Sequence, residues 1–267
     1  MKTLIYDNEC PLCVAYTSAF VTTGILEKEG RQHFNEVSPA ILAQIDKSRI
    51  YNEIPLIENE TGKVWYGIDA LLELLGSRIP LIKKIGKWTP VNWFLKKLYK
   101  LVSYNRKVIV AVNSSGQDCN PDFNIRYRIL FLLIGLVFNS LIYTRCLSLF
   151  NVSIFPAAAT HTLQAAHFSF VAVNICIAIF LGKKNGLEYL GQVNMLALIT
   201  LLLLIPITCL QNNLGAVFIG FSFGAIFFFI SREYIRRMKY AGIITKHKSV
   251  VALNVLCICS FFLYLLY

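Results

Sequence analysis

Thr3-Leu4-Ile5-Tyr6-Asp7-Asn8-Glu9-Cys10-Pro11-Leu12-Cys13 is the stretch on which the reading of this chain turns. Thr3–Tyr6 is a short apolar run closed by turn-forming residues, which predicts a buried strand. Pro11 suits the first position of a helix, with Cys10 at the cap. From Cys13 to Glu29 the pattern is helical, closing near Gly30. A thiol at a helix N-terminus faces unpaired N–H groups and the positive end of the macrodipole, which favour its thiolate. Cys13, one turn deeper, is placed to resolve a mixed disulfide formed on Cys10. No histidine or cation stands between the two cysteines, and Asp7 and Glu9 just upstream oppose ionisation. A pair toward the reducing end of the range is therefore expected. Asp7 has two readings, a proton acceptor for Cys13 and a cap or turn residue, and the second is favoured because Asp is preferred before helices.

The pair also has a metal reading. Zinc would need two further Cys or His ligands, and only His33 and the distant Cys119 are at hand. Copper(I) can be held by two thiolates alone. Redox chemistry is the leading reading, with no resident metal and no cofactor beyond the dithiol itself.

Beyond the first helix, His33–Val37 reads as a second strand and Pro39–Lys47 as a helix. Ile54–Glu58 and Lys63–Tyr66 form a strand pair turning at Glu60-Thr61-Gly62, and Gly67–Leu75 is a closing helix. The order β-α-β-α-β-β-α is that of an α/β thioredoxin-like domain, assigned to residues 1–77.

Charge divides the rest of the chain. The net charge is +11, yet residues 1–77 carry −5, residues 78–125 carry +7 and residues 126–267 carry +9. These cations lie beside long apolar runs, where topology and anionic lipid explain them better than nucleic acid does. No nucleic-acid partner is expected. Residues 78–125 form a basic amphipathic connector containing Trp88 and Trp93. It has two compatible readings: a helix lying on an anionic leaflet, and a helix packed on the N-terminal domain with its lysines in water. Ser114–Asp118 reads as a turn before the first span.

Residues 126–267 are read as an all-α membrane domain of five spans: 129–144, 154–181, 189–210, 214–230 and 249–267. Cations concentrate in loops 182–188 and 231–248 and before the first span, while Gln211-Asn212-Asn213 has none. The positive-inside rule predicts an inner-membrane protein with a cytosolic N-terminal domain and the C-terminus outside. Gln164, His167 and Asn174 lie within about 80° on a helical wheel, with His161 further round. Interhelical hydrogen bonding is the favoured role for them, ahead of a quinone or haem site. Ala216, Gly220 and Gly224 are expected to form a close-packing face.

Asp7-x-x-Cys10-x-x-Cys13 after a Leu-Ile-Tyr strand resembles the DCC family of thiol–disulfide oxidoreductases, named for that Asp-Cys-Cys pattern. Ile54-Pro55 resembles the cis-proline position of thioredoxin-like folds. Tyr66-Gly67-Ile68-Asp69-Ala70-Leu71 resembles the family's Gly-x-Asp-Ala helix start, and Tyr99-x-x-x-Ser103-x-Asn105-Arg106 its closing Tyr-x-x-x-Ala-x-Asn-Arg segment, with Ser in the Ala place. The resemblance covers roughly residues 3–107. It implies protein-disulfide reductase-type activity on a protein or small-molecule thiol or disulfide, with Cys10, Cys13 and Asp7 in the chemistry. It further implies that Pro55, if cis, presents backbone to a bound peptide. Arg106 and Asn105 are read only as orienting the connector. Two other functions remain open at this point: a non-catalytic membrane protein with a thioredoxin-like docking module, and a copper- or zinc-handling membrane protein.

Overall fold

The computed structural model describes residues 1–111, 121–151 and 160–266. The expected turn at Ser114–Asp118, Cys119 and the start of the second span lie outside them. The chain forms two compact units, Met1–Arg128 and Ile129–Tyr267.

In the first unit, β1 (Lys2–Tyr6), β2 (Arg31–His33), β3 (Pro55–Glu58) and β4 (Lys63–Tyr66) make one sheet in the order β2-β1-β3-β4. β1 runs parallel to β2 and antiparallel to β3, with Leu4 opposite Leu56. The sheet is covered on both faces, so consecutive residues of its central strands are apolar rather than alternating. Leu4 and Leu56 face a cluster that includes α1 (Pro11–Thr22) and α3 (Ile68–Arg78) residues. Ile5 and Ile57 face the other way, onto Val37, Ile45 and the short α2 (Pro39–Leu42). Each of these four aliphatic side chains is almost fully buried and contributes about 1.5–3 kcal/mol.

Three expected boundaries shift. α1 stops at Thr22 instead of running to Glu29, because Gly24 takes a left-handed turn (φ +67°) that lets Leu26 fold back into the core. β2 ends at His33 and gives way to a 3₁₀ turn, Phe34–Glu36, which turns Val37 into the opposite cluster. The helix expected over Pro39–Lys47 is a single turn.

The connector is two helices, α4 (Pro80–Lys87) and α5 (Thr89–Val110), both packed on the sheet domain. Glu73 of α3 receives Lys83 of α4 at 2.8 Å and Lys2 of β1 at 3.1 Å. Asp69 receives Lys96 of α5 at 2.9 Å. Gly67 opens α3 at φ +57°, a backbone conformation that favours glycine, and a Cβ there would press on the Tyr99 ring at 3.1 Å.

The second unit is all helical: α6 (Ile125–Cys146, whose first turn belongs to the first unit), α7 (Thr160–Leu181), α8 (Lys183–Leu210), α9 (Ala216–Tyr240), α10 (Ile243–Lys246) and α11 (Lys248–Leu266). Among the described residues four helices, α6 to α9, are long and apolar enough to cross a bilayer, where five were expected. The fifth expected span, 249–267, falls on α11, an apolar helix of 19 residues. The cations expected in loops stand largely on helix ends: Lys183 and Lys184 open α8, and Arg232, Arg236, Arg237 and Lys239 lie in the last turns of α9. Helical backbone continues there because its hydrogen bonds are internal, while long cationic side chains reach out from the apolar zone.

Polar side chains within this unit bind neighbouring helices. Tyr189 donates to Asn174 and receives Asn254, which also donates to Tyr234 at 3.0 Å. His167 stacks on Tyr143 at 4.6 Å and lies 3.2 Å from the Ser140 hydroxyl, whereas His161 is exposed. The expected packing face on α9 is not one at Gly224, where a Cβ would meet nothing within 4 Å. Close approach occurs instead at Gly186, whose Cβ would stand 2.1 Å from the Ala178 carbonyl.

Candidate active site

Cys10 caps α1 in an extended conformation, with Pro11 at the first helical position. Its carbonyl accepts from Val14 N–H at 3.0 Å, starting the helix, and leaves the side chain half-buried at the helix mouth. Cys13 lies one turn in and is buried. Both are free thiols. Thr17 donates to the Cys13 carbonyl at 2.7 Å and receives Arg31 Nε at 3.0 Å, so β2 braces the first turns of α1 from below.

The two sulfurs differ sharply in acidity. The Cys10 pKa is lowered to about 6, first by the hydrogen bond from the Cys13 thiol and further by the Arg106 guanidinium; burial and Asp7 act the other way. Cys13 is pushed far up, by the same bond, by burial and by the negative charge it would meet on Cys10. Tyr16 is a hydrogen-bonding neighbour of Cys13, and burial raises its own hydroxyl too. At neutral pH the arrangement thus places a thiolate on Cys10 beside a protonated Cys13, the division that exchange through a mixed disulfide requires.

Arg106 is the residue that sequence reasoning undervalued. The cation absent between the cysteines comes from α5, where Arg106 lies 3.8 Å from the Asp7 carboxylate and donates to the Tyr51 carbonyl at 3.3 Å. The Tyr-x-x-x-Ser-x-Asn-Arg segment was the signal available. Its spacing brings three side chains to one face of α5: Tyr99 accepts from Ile54 N–H at 3.0 Å, Ser103 donates to the Asn52 carbonyl, and Arg106 follows. Asn105 points elsewhere, donating to the Leu101 and Tyr127 carbonyls.

Asp7 does not cap α1, where no side-chain cap bond is made. It accepts from Glu9 N–H at 3.0 Å, closing an Asx turn, and its other oxygen faces Arg106. Pro55 shares a small cavity with Asp7, Cys13, Tyr16, Tyr99 and Arg106. Its peptide bond is trans, since no cis bond occurs among the described residues. Proline fits here as the first residue of β3, opposite Tyr66. Among the described residues no group of three or more His, Cys, Asp or Glu side chains comes together as a metal set.

Residues 4–111 match the family model of the DCC1-like thiol-disulfide oxidoreductases. No curated protein and no solved structure matches the chain.

Proposed function

We propose that this protein is a membrane-anchored thiol–disulfide oxidoreductase of the reductase type, working on the cytosolic side through Cys10 and Cys13. The observation that carries the reading is the asymmetric pair: a half-exposed Cys10 held near pKa 6 beside a buried, protonated Cys13. The Cys10 thiolate attacks one sulfur of a substrate disulfide; that S–S bond breaks and the departing sulfur takes up a proton from solvent. Cys13 then loses its proton and attacks the Cys10 sulfur, releasing the second substrate thiol. Two electrons have passed to the substrate, and the Cys10–Cys13 disulfide must be reset by an external dithiol. Pro55 and the Tyr99–Arg106 face of α5 border the cavity beside the pair and would receive the substrate strand.

The cytosolic assignment rests on the cations at the start of α8 and the end of α9. These ends share one apolar cluster with Leu181, Tyr189, Met238 and Ile243, at one end of the bundle. Four helices able to span supply the anchor.

Cys13→Ala is the direct test. The variant should accumulate mixed disulfides on Cys10 that the wild type does not, and mass spectrometry of the Cys10 peptide would identify what is attached. Absence of any adduct, from a variant whose Cys10 still reacts with a small disulfide, would refute exchange as its activity.

A further inference from the structure

We propose that the outer face of α4 and α5 is a docking surface for an anionic bilayer. On α4, Leu81 and Ile85 stand at i and i+4, within about 40° of arc, and Trp88 follows at the junction with α5. They are 63%, 52% and 65% exposed. Trp93 and Phe94 at the start of α5 continue the patch at 64% and 58%, followed by Leu98. The inner faces of the same helices are fully engaged. Lys83 binds Glu73, Gly86 abuts Leu72, Asn92 reaches Asp69, and Tyr99 and Ser103 hold the Ile54 and Asn52 backbone. A run of large, exposed apolar side chains on the outer side of two helices whose inner sides are packed marks an interaction surface.

Three observations name the occupant. Lys84 and Lys97 stand beside the stripe, the latter 5.8 Å from the Trp93 ring, which is the composition of an interfacial helix on anionic lipid. Two exposed tryptophans at the α4–α5 junction suit the headgroup level. The chain also guarantees the encounter. α6, able to span, begins 15 residues after the end of α5, a tether of at most about 50 Å at 3.3–3.6 Å per residue. The bilayer is therefore always at high effective concentration.

Because Tyr99, Ser103 and Arg106 occupy the opposite side of α5, docking would hold the cysteine pair roughly one helix diameter, about 10–12 Å, from the headgroups. Substrates would then be thiols or disulfides held at the membrane surface. That consequence rests on the redox reading; the docking itself does not.

The chain's three tryptophans make the test. The full-length protein is reconstituted in vesicles of equal parts phosphatidylglycerol and phosphatidylcholine, with and without bromine near the headgroup end of the acyl chains. Trp65→Phe leaves Trp88 and Trp93 as reporters. Trp88→Phe with Trp93→Phe leaves Trp65, which lies on β4 between Lys2 and Lys63. Insertion of the α4–α5 face predicts at least about a twofold loss of emission on bromination in the first variant, and little in the second. Adding Leu81→Glu and Ile85→Glu to the first should abolish the loss. Unquenched Trp88 and Trp93, the result if a second copy or another protein covers this face, would overturn the proposal; so would equal quenching of all three tryptophans. Neither outcome depends on the cysteines.

Discussion

Replacing Arg106 by Gln tests whether a side chain 93 positions beyond Cys13 in sequence sets the reactivity of the pair. With the Cys10 pKa at about 6, roughly 90% of Cys10 is thiolate at pH 7. Loss of the guanidinium should raise that pKa by about one unit. This is the low end of the effect of a neighbouring opposite charge, taken because Cys10 is half-exposed and screened. Thiolate at pH 7 then falls to about half, but a thiolate of higher pKa is about threefold more nucleophilic per unit. The two effects nearly cancel, so a single measurement at pH 7 would move by less than about twofold and mislead. The pH profile separates them. At pH 5.5 the thiolate fraction drops about eightfold and the net rate about threefold, whereas at pH 9 the variant is about threefold faster. The assay is reaction with a small disulfide, following loss of reduced Cys10 on its own peptide by mass spectrometry. Arg106→Lys, which keeps the cation, should hold the midpoint closer to 6. A midpoint still at about 6 in Arg106→Gln, with the pH 5.5 rate unchanged, would refute the assignment.

The remaining predictions use the same profile or a melt. Asp7→Asn keeps the acceptor for Glu9 N–H and removes a charge that opposes the thiolate, so its midpoint should fall below that of the wild type, the opposite sign to Arg106→Gln. Cys13→Ala removes the largest stabilising contribution, the hydrogen bond to the thiolate, and should return the midpoint toward the ordinary thiol value of about 8.5. Tyr99→Phe leaves the Ile54 N–H without its acceptor and should cost about 1–3 kcal/mol in a thermal or denaturant melt, with the Cys10 midpoint little changed.

What was legible in the sequence was what local patterns encode. The β1–Cys10–Pro11 junction is written in adjacent residues, and the structure has the cysteine at the cap and proline at the first helical position as expected. The strand order β-α-β-α-β-β-α likewise follows from short apolar runs and their turns. What was not legible depended on tertiary context. Helical patterning runs on past Thr22, and only the left-handed Gly24 shows that Leu26 gains more by entering the core than by extending the helix. The Ile54-Pro55 dipeptide looks alike whether cis or trans, a choice made by the strand it opens. The cationic residues after Ile230 read as a loop because they are polar, yet α9 runs on through them to Tyr240, since a helix satisfies its own backbone wherever it stands.

The absence of a cation between Cys10 and Cys13 has a consequence for how the thiolate is controlled. Asp7 and Glu9 are fixed beside the pair by the sequence itself, so the local segment alone carries negative charge next to the sulfur. The compensating charge arrives only when α5 is in place, held by Tyr99 on Ile54, Ser103 on Asn52, Lys96 on Asp69 and Arg106 on Tyr51. A CxxC whose stabilising cation lay between the cysteines would be reactive even in a partly folded chain. Here the acidity of Cys10 reports on the packing of a helix from the far end of the module. Lifting α5 should raise the Cys10 pKa through loss of Arg106, on top of the larger effect of the Cys13 hydrogen bond. Residues 1–77 thus hold both thiols but not the groups packed around them, because Tyr99, Ser103 and Arg106 belong to α5.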